Sequence, residues 1–269
     1  MNSSRNGTNP NTKHMALIES MERSGNWLFR WRSFLPLALY ALAAPVALWA
    51  PDAWSPAYDA PAWWMACLAV SLLGLVFRAL TIGYTPRGTS GRNTSEGQVA
   101  ESLNTRGVYS TVRHPLYVGN YFMWIGLVMF VGNQWFTMVV TLLFWVYYER
   151  IMFAEEAFLR RKFEQAYLDW SLRTPAFIPR FGRWTSPGVT FSMRNVLKRE
   201  YNGFFAVFVS FALIDALHGF REAGFELNED VLSPHWVNLL AGAAVVFLVL
   251  RTLKKRTKVL DVAGREYVA

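Results

Sequence analysis

Six apolar runs of near-bilayer length, at 34–50, 62–84, 116–132, 135–153, 203–217 and 236–251, constrain this sequence more than any other feature. A helix needs about 20 mostly apolar residues to cross the hydrocarbon core, with roughly 17 as a lower limit. Inside a bilayer the backbone polar groups must be satisfied within the segment itself, so each run is predicted as a helix. Only Asn133 and Gln134 separate the third run from the fourth. Spans three and four (116–132/135–153) should therefore form a tight antiparallel hairpin. The expected fold is an all-α integral membrane protein with about six transmembrane helices.

Basic residues orient the spans. Stretch 1–33 carries five Lys/Arg, loop 85–115 four, stretch 149–202 ten and tail 251–269 six. The alternate loops carry none at 51–61, none at 133–134 and one, Arg221, at 218–235. This satisfies the positive-inside rule at every loop and predicts that both termini are cytoplasmic. The acidic loop with Glu222, Glu226, Glu229 and Asp230 then faces outward, and Trp49, Trp54, Trp63, Trp64, Trp135 and Trp236 fall near the outer interface as an aromatic belt. The net charge of +8 thus follows topology. Basic residues that flank spans are not a nucleic-acid footprint, so no nucleic-acid partner is expected. Cys67 is the sole cysteine, which rules out an intramolecular disulfide and a Cys-based zinc site. The first twenty residues are polar, lack the apolar core of a signal peptide, and read as a mobile tail. The chain divides into a cytoplasmic tail (1–33), a membrane core (34–202) and a C-terminal pair of spans with a basic end (203–269).

Three segments on the predicted cytoplasmic side can carry chemistry. The first, Thr85–Thr94, holds Arg87 and Arg92 among hydroxyls and glycines, with no carboxylate. Glycines admit close approach of a ligand to backbone amides, and Arg can bind phosphate through two parallel bonds. An ordinary basic membrane-flanking loop is the competing reading. The second segment runs from Tyr109 to Asn120. Pro115 suits the first turn of a helix and pushes His114 out of it, so Arg113 and His114 sit at a helix mouth that favours an anion. Tyr117, Gly119 and Asn120 follow on the first turns. Gly119 would admit a ligand or a neighbouring helix. The third segment, 147–180, continues span four past the membrane. From 135 to 170 a straight helix would run about 54 Å, beyond the roughly 30 Å core, so it must bend or extend into the cytosol. It carries Glu149, Glu155 and Glu156, which can hold a cation; an i,i+4 pair of Glu156 with Arg160 is the plainer alternative. Arg173-Thr-Pro-Ala-Phe-Ile-Pro-Arg180 closes it as an extended strap.

The second and third segments together resemble the isoprenylcysteine carboxyl methyltransferase and phospholipid methyltransferase superfamily. The shared pattern is Arg113-His114-Pro115 with Tyr117 and Gly119, then a membrane hairpin, then Glu155-Glu156 with Leu159, Phe163 and Tyr167, then Pro175, Phe177, Ile178 and Pro179. The likeness covers about residues 65–180. At Glu164 the chain departs from a pattern that often places Gly after the Phe. The string from Tyr84-Thr-Pro-Arg-Gly88 through Arg199-Glu-Tyr-Asn-Gly203 resembles a bacterial subgroup linked to methylation of lipid A phosphate, which implies a bacterial inner membrane. The last two spans fall outside the resemblance.

The resemblance implies S-adenosylmethionine as methyl donor. It implies that His114, Pro115, Tyr117, Gly119 and Asn120 help bind it, and that Glu155 and Glu156 contact its amino or ribose groups. Methyl transfer needs the nucleophile and the methyl held close and in line. An oxyanion needs no general base at neutral pH, so neither a Ser/His/Asp triad nor a metal is expected. Arg113, Arg87 and Arg92 are the candidate catalytic cations. The acceptor is expected to be a lipid entering sideways from the cytoplasmic leaflet, its anionic head met by Arg87, Arg92, Lys198 or Arg199. Arg78, inside span two, is costly unless paired or snorkelling, and is a candidate substrate residue with structural pairing as the rival reading. A prenylated-cysteine carboxylate is the second oxygen acceptor to weigh. Methylation of a phospholipid amine would need a base and carboxylates around the head. A small transporter would show an internal repeat and broken mid-membrane helices, and neither stands out.

Overall fold

A computed structural model describes residues 16–32, 34–50, 61–86, 88–89, 92–94, 97–229 and 231–262 of the protein. Among these, seven helices follow one another: α1 (Leu17–Trp31), α2 (Leu35–Trp49), α3 (Pro61–Gly83), α4 (Pro115–Phe130), α5 (Gln134–Ser171), α6 (Met193–Glu222) and α7 (Pro234–Arg256). A short antiparallel hairpin, β1 (Arg92–Thr94) with β2 (Gly97–Val99), lies in the loop after α3. The protein is all-α. By length and composition α3, α5, α6 and α7 are long and apolar enough to cross a membrane, and the shorter apolar helices are Leu37–Trp49 and Pro115–Phe130. Together they account for the six apolar runs.

The helix ends are where the sequence puts the capping residues. Pro115 opens α4 and Pro234 opens α7, positions where a missing N–H costs nothing. The Asn133 side chain accepts from the Phe136 amide at 3.0 Å and starts α5, which makes the α4–α5 hairpin as tight as its two-residue connection implies. The Ser192 side chain does the same for α6. The carbonyls left over at the end of α3 are taken by the start of α6: Ser192 N donates to Gly83 O at 3.0 Å, and Asn195 Nδ2 to Ile82 O at 2.8 Å.

α3 and α4 approach closely because small residues face each other. A Cβ at Gly74 would collide with the Gly119 carbonyl, and one at Gly126 with Cys67 and Ser71. Ser71 Oγ donates to Met123 O across the same seam. Small-residue seams of this kind bring helix backbones together where lipid offers no hydrophobic contrast. The main core lies toward the other end of the bundle, where Phe130, Phe211 and Trp236 stack among Cys67, Leu127 and Ile214.

Two expectations change. The stretch read as a tail ends in an ordered helix: α1 begins at Leu17, while residues 1–15 lie outside the described residues. α1 has no long apolar run because Glu19, Glu22, Arg23 and Arg30 interrupt it, so a search for spans passes it by. It packs on the extension of α5, with Gly25 against the Arg150 carbonyl, Glu22 paired to Arg161 at 2.7 Å, and Phe29 buried. Second, Trp236 is wholly buried in the core and not part of an aromatic belt. The Ser233 amide and hydroxyl both bond Asp215 on α6, which seats the start of α7 inward. Trp49 and Trp135 are exposed as a belt requires, and Trp54 lies outside the described residues.

Candidate active site

The strap after α5 builds the site's backbone. Arg113 N donates to Pro175 O at 2.8 Å, His114 N to Ala176 O at 3.1 Å, and Arg180 N to Thr111 O at 2.9 Å. The prolines that end α5 thus lay an extended segment along residues 111–114. α5 itself both extends and bends. Its helical path breaks at Glu164 (φ 43°, ψ −116°), and beyond the break Trp170 Nε1 donates to Tyr109 O at 3.2 Å. The bend returns the end of α5 to the mouth of α4.

There the two carboxylates of α5 meet the histidine. His114 Nε2 is 2.8 Å from Glu156 Oε1, and Nδ1 is 3.4 Å from Glu155 Oε2. Arg113 Nε donates to the same Glu156 oxygen at 2.9 Å, while its Nη1 donates to Ser171 O at 2.8 Å and Thr174 O at 3.0 Å. Burial opposes protonation of His114, but hydrogen bonds and charge from Glu155 and Glu156 outweigh it and hold the ring above the ordinary histidine value. The His114 ring stacks on Tyr117 (centroids 5.7 Å apart), and Tyr117 packs against Tyr148 of α5 at 4.6 Å. The expected anion-binding mouth is therefore already occupied by protein. The Arg113 and His114 amides go to the strap, and the Arg113 side chain is spent on Glu156 and two carbonyls. Glu156 pairs with Arg113 and His114 in place of the helical neighbour Arg160.

A second polar cluster sits one layer further along the spans. Arg78 of α3 donates Nε to Glu200 Oε2 and Nη2 to Glu200 Oε1, each at 2.7 Å, and Nη1 to Asn120 Oδ1 at 2.6 Å. Asn120 Nδ2 then donates to the Tyr148 hydroxyl at 2.9 Å. One chain of bonds thus ties α3, α4, α5 and α6. Of the two readings of Arg78, pairing is what the structure shows. Glu200 was hidden in the basic run Lys198-Arg199, and Tyr148 among the aromatic residues of α5. A signal for Glu200 did exist, since an arginine within a span calls for an acid on a neighbouring helix.

Between the clusters lies a cavity of about 280 Å³. Its walls include Arg78, Arg113, His114, Pro115, Tyr117, Asn120, Glu155 and Arg199 from the predicted set, and Arg32 of α1, Tyr109 and Trp170 from outside it. Glu156 stands behind the wall, holding Arg113 and His114. Gly119 lies against α3, where a Cβ would meet Gly74 and the Arg78 side chain. Lys198 is at the surface, bonded to Asp261 at 2.6 Å. Arg92 sits in β1, its backbone paired with Val99, and Arg87 lies outside the described residues. The loop before it is not wholly acid-free in space, because the Glu101 carboxylate lies against Gly88.

Residues 63–166 match the family described as phospholipid methyltransferase. This stretch contains the carboxylate pair, the Arg113-His114-Pro115 mouth and Arg78. That segment of the chain is similar to the phospholipid methyltransferase family. The chain is 37% identical over 78 residues to a protein-S-isoprenylcysteine O-methyltransferase of Schizosaccharomyces pombe, covering 29% of this chain and 33% of that protein. It is 34% identical over 85 residues to the mouse protein of the same description, covering 32% and 30%. A longer match, 31% over 156 residues, is to a nickel-cobalt-cadmium resistance protein of Alcaligenes xylosoxydans xylosoxydans, covering 58% of this chain and 66% of that one. The chain therefore spans less than two thirds of the curated relatives it matches. No solved structure matches significantly.

Proposed function

We propose that this protein is an S-adenosylmethionine-dependent membrane methyltransferase that modifies an oxygen of an anionic lipid head, a lipid phosphate of the lipid A type first. The observation that supports it is the composition of the cavity wall: Glu155 and the Tyr117 and Trp170 rings beside Arg32, Arg78, Arg113 and Arg199. When bound, S-adenosylmethionine supplies an electrophilic methyl on a positively charged sulfur. The wall fits that group. Glu155 offers a carboxylate to cationic atoms, and aromatic faces attract cations by their quadrupole. His114, stacked on Tyr117 and held by both glutamates, fixes the wall's shape. The span ends beside the cavity allow lipid tails to stay in the bilayer while the head reaches the polar wall.

An amine acceptor needs a base and carboxylates around it. Here Arg78 and Arg113 carry their own carboxylate partners, while Arg32 makes no ion pair among the described residues, which supports an oxyanion. The relatives named as isoprenylcysteine O-methyltransferases support a second reading, a prenylated-cysteine carboxylate. We assign both termini and the cavity to the cytoplasmic side from the basic loops, and the membrane to a bacterial inner membrane from the resemblance to the lipid A phosphate subgroup. The test is calorimetric titration in detergent with S-adenosylmethionine and its demethylated product. Saturable micromolar binding, followed by labelled-methyl transfer to lipid A and not to farnesylated cysteine, is the expected result. Folded protein that binds neither compound, with lipid present, would sink the proposal.

A further inference from the structure

Arg32 is placed by elements that the family match leaves out. It ends α1, which precedes residues 63–166, yet it lines the cavity. Its position is fixed by a set of α1–α5 contacts: Glu22 with Arg161, Arg150 Nη1 with Ser24 Oγ at 3.1 Å, and the Tyr147 hydroxyl with Leu28 O at 3.3 Å. The guanidinium lies 3.8 Å from the centre of the Phe29 ring, and one nitrogen is 3.5 Å from Phe29 O. Among the described residues it makes no ion pair. Two of the other three cavity arginines are neutralised, Arg113 by Glu156 and Arg78 by Glu200; Arg199 is the third. An arginine carries five N–H donors in a planar fork suited to phosphate, and Phe29 takes at most one of them.

α1 also sets the depth. Trp27, Trp31 and Phe34 are exposed and form a continuous row, with centroids 6.3 and 5.4 Å apart. Exposed tryptophans beside arginines settle at the head-group level of a bilayer. Arg32 follows directly on Trp31, so it stands at the depth of lipid phosphates and opens on the cavity.

We infer that Arg32 is the specificity-determining cation of the acceptor site, gripping a phosphate oxyanion carried on a lipid, and that α1 is the element that presents it. The inference rests on the methyltransferase reading for treating that lipid as the acceptor. Two other occupants have the same charge, the donor's own carboxylate and free phosphate, and the test separates them. Wild type, Arg32→Gln and Arg32→Lys, each checked for an unchanged unfolding midpoint, are titrated in detergent with a short-chain phosphatidic acid, with inorganic phosphate and with S-adenosylmethionine. The expected result is at least tenfold weaker phosphatidic acid binding by Arg32→Gln, partial rescue by Arg32→Lys, donor affinity within twofold of wild type, and inorganic phosphate bound far more weakly than the lipid. Loss of donor affinity in Arg32→Gln would reassign the residue to the donor carboxylate. Equal affinity for inorganic phosphate would remove the lipid. Phosphatidic acid affinity unchanged by Arg32→Gln, or absent in the wild type, would overturn the inference. Should the wild type bind phosphatidic acid through Arg32 but no S-adenosylmethionine, the methyltransferase reading fails and the anion site stands.

Discussion

Arg78 and Glu200 face each other across α3 and α6 through two parallel bonds of 2.7 Å, with Glu200 almost wholly buried. Arg78 lines the cavity, and the pair is also a rivet between helices that are remote in sequence. Breaking a buried pair from one side leaves a charge with no compensation, at roughly 3–5 kcal/mol. Glu200→Leu should therefore destabilise the protein by about that amount, measured by denaturant unfolding in detergent. Adding Arg78→Leu to Glu200→Leu should recover most of the loss, since an apolar pair of similar volume needs no compensation. A double variant as unstable as the single one would show that the pair is not the source of the effect.

The adjacent glutamates have different tasks, and their variants should differ in kind. Glu155 lines the cavity, whereas Glu156 holds Arg113 and His114 from behind. Glu155→Gln should weaken S-adenosylmethionine binding at least tenfold, roughly 1.4 kcal/mol or more, with a smaller loss of stability than Glu156→Gln because it gives up only the 3.4 Å contact with His114. Glu156→Gln leaves Arg113 and His114 under-compensated and should lower both the unfolding midpoint and donor affinity. Calorimetry and thermal unfolding on the same preparations decide it. If both variants keep full donor affinity, the carboxylate pair is not the donor site.

The His114 cluster gives the site a pH dependence whose sign can be worked out. Glu155 and Glu156 raise the folded value above that of an unfolded chain, where histidine titrates near ~6.5. Arg113, Tyr117 and Tyr167 also surround the carboxylate–histidine group. A raised value means the folded state binds the proton more tightly. The stabilisation is full below about pH 6.5 and is lost as pH rises through the folded value. The unfolding midpoint of the wild type should fall as pH rises above about 6.5, by an amount that His114→Gln abolishes. An identical pH profile in His114→Gln would show that this proton contributes nothing.

How much of this was legible follows from what each feature leaves in a sequence. Apolar runs announce α2 to α7 because the bilayer imposes length and composition on a span. α1 leaves only an amphipathic pattern crossed by charges, so Arg32 could not be connected with the site. His114, Tyr117 and Glu155 were reachable because Pro115 marks a helix start and because Arg113-His114-Pro115 and Glu155-Glu156 carry the resemblance to a methyltransferase family. Their mutual distances were not, since they depend on the strap between Pro175 and Arg180 folding back on Thr111. Arg113 shows the cost of reading a helix mouth locally. Its charge suggests an anion site, and only the tertiary return of α5 reveals that Glu156 already fills it. Of the two readings of Gly119, a ligand or a neighbouring helix, the structure shows the helix, for its small size serves α3 at Gly74.

The bend in α5 supplies the last test. Glu164 has φ 43° and ψ −116°, a conformation that a side chain bearing Cβ rarely adopts and glycine adopts freely. Such a residue stores about 1–3 kcal/mol of strain. Glycine there relieves it but makes the unfolded chain more flexible, which returns part of the gain. Glu164 is exposed, so no packing is lost. Glu164→Gly should therefore stabilise the protein by about 1 kcal/mol and leave donor affinity unchanged. Glu164→Ala keeps the strain and should gain nothing, which separates the backbone effect from removal of the charge. The comparison is made by unfolding all three proteins in the same detergent. Stabilisation by Ala equal to that by Gly would mean that the charge, not the bend, is what the protein bears at this position. A loss of stability with Gly would mean that the bend does not need the left-handed backbone at all, and that the return of Tyr167 and Trp170 to the mouth of α4 has another cause.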